Sequence, residues 1–189
     1  MKTPIALAAV LLSAATAAHA HVQFFTTTLA PDSVGATGTG VVDFQYDEDG
    51  HTLFIDATWA GLSGTTTIAH IHCCVASPGT AGVAVTPNTL PGFPSGLHDG
   101  NYTVVLDLTN PANYTGAFLS SHGGTAATAE AGLIQSFYDH LSYFKIHTST
   151  FGSGEIRGFI TAVPEPASYA LMALGLAAIG GVLRRRRSA

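Results

Sequence analysis

Apolar and polar residues alternate with period two along most of this chain, and this pattern restricts its fold more than any other feature. In residues 52–59 every second residue, from Leu53 to Trp59, is apolar, and most of those between are polar. Such alternation is typical of a strand with one buried face. Comparable segments recur at 22–28, 41–46, 69–74, 83–86, 102–108, 143–147 and 155–161, separated by Gly, Pro, Asn and Ser. Eight short strands predict an all-β fold, an antiparallel β-sandwich with Greek-key connections.

One segment departs from the strand pattern. Residues 128–141 carry their apolar side chains at helical spacing, at Leu133, Ile134, Phe137, Tyr138 and Leu141. This spacing predicts one short amphipathic helix in a crossover between strands.

Apolar segments at both ends of the chain are predicted to direct its export. Lys2, the apolar run 5–18 and the small-residue site before His21 are typical of a secretory signal peptide cleaved after Ala20. The other end holds an uncharged apolar stretch, 167–183, near the short limit of a membrane-spanning helix. We therefore expect a signal peptide at 1–20, one folded domain at 21–162 and a sorting segment at 163–189.

The C-terminal segment has three parts in a fixed order. A Pro-Glu-Pro motif comes first, then the apolar stretch, then a basic cluster; the residues are Pro164, Glu165, Pro166, Arg184, Arg185, Arg186 and Arg187. This order resembles the PEP-CTERM sorting signal of Gram-negative bacteria. The resemblance implies recognition by an exosortase, removal of the helix, and delivery to the cell surface or the exopolysaccharide matrix. A plain single-span inner-membrane anchor is the alternative, since it explains the helix and the arginines.

The charge of the expected domain limits its partners. Only Lys145 and Arg157 are basic there, against eleven carboxylates, which gives a net charge of −9 with neutral histidines. A nucleic-acid or anionic-lipid partner is therefore disfavoured, and cations are favoured. The acidic segment 47–50 lies between two predicted strands, and we interpret it as a hairpin turn.

Candidate metal ligands concentrate in residues 70–74, His-Ile-His-Cys-Cys. Residues two apart on a strand share a side, so His70, His72 and Cys74 are expected to lie together. His147, which ends another predicted strand, is the best third imidazole, and Glu155 could orient a ligand from outside the site. Imidazole and thiolate suit copper or zinc. The alternative is that these histidines only form hydrogen bonds.

The two adjacent cysteines allow two hypotheses. An exported protein can join Cys73 and Cys74 in a disulfide. Their alternate faces instead place Cys73 in the core and leave Cys74 as a ligand or an exposed thiol.

Glu155 and Arg157 are also two residues apart on a predicted strand. We expect them to form a carboxylate–guanidinium pair with a structural role, because a partly buried carboxylate is costly to hold without a cation.

Three segments carry a family resemblance that covers most of the domain. Residues 69–72 (Ala-His-Ile-His), 146–148 (Ile-His-Thr) and 154–158 (Gly-Glu-Ile-Arg-Gly) resemble signature segments of the CHRD domain, named from chordin. The resemblance implies an immunoglobulin-like β-sandwich with binding or metal-related roles. Lys145 stands where the family commonly has Asn, and its ammonium would weaken cation binding nearby.

Motifs for nucleophilic or phosphate chemistry are absent from the sequence, and we assign no catalytic residue. We expect a binding or structural module of the cell envelope or extracellular matrix, with exopolysaccharide or other surface proteins as partners. Phe93, Tyr102 and Tyr114 are candidates for an exposed aromatic platform that would bind carbohydrate. The alternative function is a copper- or zinc-binding protein with superoxide-type redox chemistry at the His-x-His strand.

Overall fold

The computed structural model describes residues 22–164, 174–177 and 179. Nine strands dominate this part of the chain: β1 (Val22–Pro31), β2 (Thr39–Asp47), β3 (Thr52–Ala60), β4 (Thr66–Cys73), β5 (Val83–Val85), β6 (Gly100–Asp107), β7 (Ser142–Thr148), β8 (Ile156–Phe159) and β9 (Thr161–Ala162). Helices α1 (Gly116–Ser121) and α2 (Ala126–Tyr138) follow β6, after a 3-10 turn at Pro111–Asn113. The all-β prediction is confirmed.

Two predicted segments fall mainly outside the described residues. These are the signal peptide 1–20 and the sorting segment, including Glu165, Pro166, Arg184, Arg185, Arg186, Arg187 and most of the apolar stretch. Among the residues that are described, no helix has the length and apolar character needed to cross a bilayer.

All the strand pairs are antiparallel, and they form one curled sheet in the order β5-β4-β7-β8-β1-β2-β3-β6, with β9 also paired to β1. Strand β1 is shared between two layers, because Val22 to Leu29 pair with β2 whereas Ala30 and Pro31 pair with β8. We call β9, β1, β2, β3 and β6 the first layer, and β5, β4, β7 and β8 the second layer.

Aromatic side chains fill the space between the layers and under α2. The rings of Phe44 on β2 and Phe144 on β7 lie 6.2 Å apart, and Phe137 of α2 lies 5.2 Å from Phe25 and 5.7 Å from Phe44. Aromatic pairs at such distances, two of the three of them edge-to-face, add to the stability that burial provides. The helix crosses from the edge of the first layer to the second, as predicted.

The borders of α2 differ slightly from the predicted 128–141. The helix begins two residues earlier because the Thr125 side chain accepts a hydrogen bond from Thr128 N and caps it. It ends at Tyr138, shortly before His140, which has a left-handed φ of 57°.

Two local expectations have different outcomes. The acidic segment 47–50 forms the turn between β2 and β3, where the Asp47 carboxylate accepts a hydrogen bond from Gly50 N at 2.9 Å. The aromatic platform is not formed, because Phe93, Tyr102 and Tyr114 are 8%, 5% and 2% exposed. The two tyrosine hydroxyls donate to the Pro91 and Leu108 carbonyls.

Candidate metal centre

Three histidines converge on the outer side of the second layer. His70 and His72 lie on β4 and His147 lies on the paired strand β7. Strand alternation sends their β4 neighbours, Ala69 and Ile71, into the hydrophobic core and the two histidines to the opposite side. The ring centroids lie 5.4–6.0 Å apart. The structure therefore brings together the three imidazoles that the sequence singled out.

One nitrogen of each imidazole is held by a backbone carbonyl. His70 Nε2 lies 2.7 Å from Asn88 O, His72 Nδ1 lies 2.9 Å from Ala81 O, and His147 Nδ1 lies 2.9 Å from Gly152 O. A carbonyl oxygen only accepts hydrogen bonds, so the proton of each neutral ring must be on the nitrogen that faces it. The other nitrogen then carries a lone pair.

These three lone-pair nitrogens are buried and have no hydrogen-bond partner among the described residues. They are His70 Nδ1, His72 Nε2 and His147 Nε2, and one ligand nitrogen from each ring lies within 4.8 Å of the others. Each unsatisfied buried acceptor costs about 1–3 kcal/mol. Two nitrogen ligands of a tetrahedral zinc ion with Zn–N bonds of about 2.1 Å lie about 3.4 Å apart. Small rotations of the rings would therefore close the cluster on one ion.

Burial keeps the imidazoles in the form that binds metals. It lowers the pKa of His72 to about 4 despite the Ala81 hydrogen bond, and it also lowers the pKa values of His70 and His147. The positive charge of Lys145 lowers the pKa values of His72 and His147 further. The three rings are thus neutral at pH 7, so an incoming ion does not have to displace protons from them.

The two cations beside the centre share one carboxylate. Lys145 Nζ lies 2.7 Å from Asp32 Oδ2, and Arg157 Nε lies 2.5 Å from Asp32 Oδ1. Lys145 also donates to Ser153 O, and Arg157 donates to the carbonyls of residues 78 and 79. The guanidinium lies 5.1 Å from the ring of Tyr143, which in turn stacks on His72 at 4.8 Å. A charge network of largely buried side chains therefore borders the histidine cluster.

The predicted pair between Glu155 and Arg157 is not formed. Glu155 lies before the first residue of β8, so the alternation that would align the two side chains does not apply. Its fully buried carboxylate accepts hydrogen bonds from Ser63 N, Ser63 Oγ, Gly64 N and Thr148 Oγ1 at 2.6–3.1 Å, and a longer one from Thr37 N at 3.4 Å. Burial would raise the pKa of Glu155, but the hydrogen bonds from Thr148 and Ser63 outweigh it and lower the pKa.

Glu155 does not orient His147 either, since Gly152 O occupies the protonated nitrogen of that ring. Its contacts instead join the 61–64 loop to the end of β7. Glu155 and Arg157 thus act at two separate places, Glu155 in these loop contacts and Arg157 in the charge network. The carboxylate partner of Arg157 is Asp32, which the sequence did not indicate. One signal for this carboxylate was present in the sequence. The domain has only two basic residues, and a buried Lys145 needs a carboxylate partner just as Arg157 does.

Cys74 is not a free ligand in this structure. Cys73 and Cys74 are joined by a disulfide, and the ligand cluster in the described part of the chain consists of the three histidines. Of the two hypotheses for the cysteine pair, the structure agrees with the disulfide. The carbonyls of Asn88, Ala81 and Gly152 could not have been found from sequence, because a backbone oxygen has no side-chain signature.

Two known protein families match most of the chain. Residues 24–160 match the CHRD domain, and residues 162–187 match the PEP-CTERM protein-sorting motif. No curated protein and no solved structure matches significantly. The CHRD match contains the whole histidine cluster and the charge network beside it, and the sorting motif starts just after it. The chain therefore belongs to the CHRD domain family and ends in a PEP-CTERM sorting motif.

Proposed function

We propose that this exported, surface-sorted protein binds one copper or zinc ion through His70, His72 and His147. The observation that carries the proposal is the convergence of three bare, buried imidazole nitrogens, each on a ring whose other nitrogen is held by a carbonyl. Metal-binding histidines are usually oriented by this kind of outer hydrogen bond. The alternative that the rings only make hydrogen bonds leaves these three nitrogens unexplained.

The ligand set indicates the class of metal. Neutral imidazoles suit copper and zinc, whereas calcium and magnesium prefer oxygen ligands. Three protein ligands leave a coordination position for water or another small ligand, as in catalytic zinc sites. Because this position is open to a small ligand, we predict superoxide-type redox chemistry for the copper-loaded form. A superoxide assay of the copper-loaded protein checks this prediction.

In this proposal the metal ion is bound outside the cytoplasm, and the sorting motif supports that location. A PEP-CTERM motif implies handling by an exosortase and delivery to the surface of a Gram-negative cell. In this proposal the C-terminal helix holds the chain in the inner membrane until processing, and the mature domain then resides at the surface or in the exopolysaccharide matrix. The domain boundaries 1–20, 21–162 and 163–189 belong to the same proposal.

Metal content tests the proposal. The full chain is purified from bacterial envelopes without a metal-binding tag, and copper and zinc are quantified by plasma mass spectrometry. We expect close to one equivalent, and its loss in the His70→Ala/His72→Ala variant. His98→Ala is the matched control, because His98 is exposed and outside the cluster. A wild-type protein without metal, or a double variant that keeps it, would contradict the proposal.

A second candidate function is a matrix-binding module, which the outer face of the first layer favours. Phe24, Val41 and Val105 are large apolar side chains on this face and are 45%, 43% and 62% exposed. Phe24 and Val41 lie on the paired strands β1 and β2, and Val105 lies on β6 beyond β3. Exposed apolar patches are typical of binding surfaces when they are contiguous. Retention of the full chain on exopolysaccharide, compared with Phe24→Ser/Val105→Ser, tests this function separately from the metal centre. Equal retention of the two proteins would refute it.

A further inference from the structure

The disulfide between Cys73 and Cys74 stands directly after the second metal-centre histidine. Cys73 is the last residue of β4 and is 9% exposed, and it belongs to the hydrophobic core. Cys74 is exposed. The two residues of this bond therefore differ in exposure, and Cys74 is the more accessible of them.

A surface cavity lies against the disulfide. It has a volume of about 320 Å³ and is lined by both cysteines together with Gly82, Val83, Ala117, Phe118, Ser121 and His122. A small reductant or the tip of a partner protein fits a cavity of this size. The disulfide is thus reachable without unfolding of the domain.

The same stretch of backbone connects the disulfide to the metal centre. Cys73 N donates to Gly82 O at 3.2 Å, and the preceding carbonyl, Ala81 O, holds His72 Nδ1 at 2.9 Å. Tyr143 Oη fixes Ala81 further, by accepting from its N–H at 3.0 Å. Asn88, which holds His70, belongs to the same segment between β4 and β6. The disulfide thus anchors the start of a segment that orients two of the three ligands.

We propose that Cys73–Cys74 is a thiol–disulfide exchange site for a dithiol reductant, and that its redox state sets the metal affinity of the histidine centre. This inference rests on the proposed function, whose metal site it regulates. The oxidised form holds the ion. In the reduced form the ring that the disulfide closes over residues 73 and 74 is open. This loosens the Ala81 hydrogen bond, and the ion is held more weakly.

The exchange balances as a two-electron reaction. A thiolate of the reductant attacks Cys74 Sγ, the bond between the cysteines breaks, and Cys73 leaves as a thiolate that takes up a proton. The second thiolate of the reductant then attacks the reductant sulfur that is bonded to Cys74 in the mixed disulfide. Cys74 leaves as a thiolate and is protonated in turn. The dithiol is oxidised to a disulfide, and the protein gains two thiols.

The expected effect on affinity follows from the outer hydrogen bonds. Removing such a partner of a ligating histidine typically weakens metal binding by about 10- to 100-fold. We therefore expect the reduced protein to bind zinc at least about tenfold more weakly than the oxidised protein.

The test separates reduction from metal binding. The metal-free full chain is treated with dithiothreitol without denaturant, alkylated with iodoacetamide so that the thiols cannot bind metal, and freed of reagents. Mass spectrometry counts the adducts, circular dichroism follows the β structure, and competition with a chromogenic chelator gives the zinc affinity. Protein treated with iodoacetamide alone is the control, and Cys73→Ser/Cys74→Ser provides a form without either thiol.

We expect two adducts on a folded protein, and weaker zinc binding by about tenfold or more in both the alkylated and the serine forms. No adducts, or loss of the fold on reduction, would overturn the exchange site. Equal zinc affinities in the oxidised and reduced forms would overturn the coupling and leave the proposed function intact. No zinc binding by the untreated control would overturn the proposed function and the coupling together.

Discussion

Replacing Glu155 by Gln separates the structural role of this residue from a role at the metal. The carboxylate is fully buried and accepts five hydrogen bonds of 2.6–3.4 Å. Glutamine has almost the same shape, but it offers one acceptor oxygen and turns an NH2 group toward the remaining donors. Hydrogen bonds to charged groups contribute about 1.5–3 kcal/mol each, and an unpaired buried donor costs about 1–3 kcal/mol.

These values predict that Glu155→Gln lowers the free energy of unfolding by about 3 kcal/mol. For a protein of this size that corresponds to a melting temperature lower by roughly 6–12 °C. Urea unfolding followed by circular dichroism measures the change. Asp56→Asn is the matched control, since Asp56 is exposed on β3 and such surface changes stay within about 0.5 kcal/mol.

The pH dependence and the metal content complete the test. Because the pKa of Glu155 is lowered in the folded protein, its stabilisation is present above the ordinary value of 4.5 and is lost as the pH falls through the folded pKa. The Glu155→Gln variant should lack this acid-sensitive part of the free energy of unfolding. It should bind as much metal as the wild type. A stability change within about 0.5 kcal/mol, the range of ordinary surface changes, or a loss of metal would refute the reasoning.

Three further predictions concern the other charged groups. Asp32→Asn leaves the buried Lys145 and the partly buried Arg157 without a carboxylate and should cost about 3–5 kcal/mol in urea unfolding. A loss below about 1 kcal/mol would contradict the network. Lys145→Met removes a positive charge beside the histidine centre and should tighten zinc binding several-fold in a chelator competition, and unchanged or weaker binding would be evidence against that charge effect. Glu130 raises the pKa of His51 through a hydrogen bond and its charge, so this contact stabilises the fold below pH 6.5 and fades as the pH rises through the raised pKa. A proton NMR titration should show that raised pKa and its return in Glu130→Gln; no difference would contradict the contact.

The strands were predictable because each has one face in the core. In β2 and β3 the buried positions alternate strictly, from Val42 to Tyr46 and from Leu53 to Trp59, and the sequence alternates with them. Strand β7 is buried along its whole length, so its polar members, including Lys145 and His147, have no periodic signal of burial. Helix α1 has six residues and a single buried one, Phe118, which is too little for a helical period to be visible.

The candidate site was predictable as far as side chains define it. The i, i+2 rule placed His70 and His72 together, and the position of His147 at the end of a strand added the third imidazole. Pairing between distant segments was beyond this reasoning, because the partner of Arg157 is Asp32, 125 positions earlier in the sequence. The orientation of the rings by backbone carbonyls depends on loop conformation, which no residue pattern records.

The most direct test of the account is the protonation state of the three histidines, read from a long-range proton–nitrogen NMR spectrum of the metal-free chain before and after one equivalent of zinc. The account predicts a proton on Nε2 of His70 and on Nδ1 of His72 and His147. It further predicts that zinc shifts the opposite nitrogen of each of these rings and leaves the exposed His98 unchanged. Protons on the other nitrogens, or a spectrum that zinc does not change, would contradict a metal centre at this position.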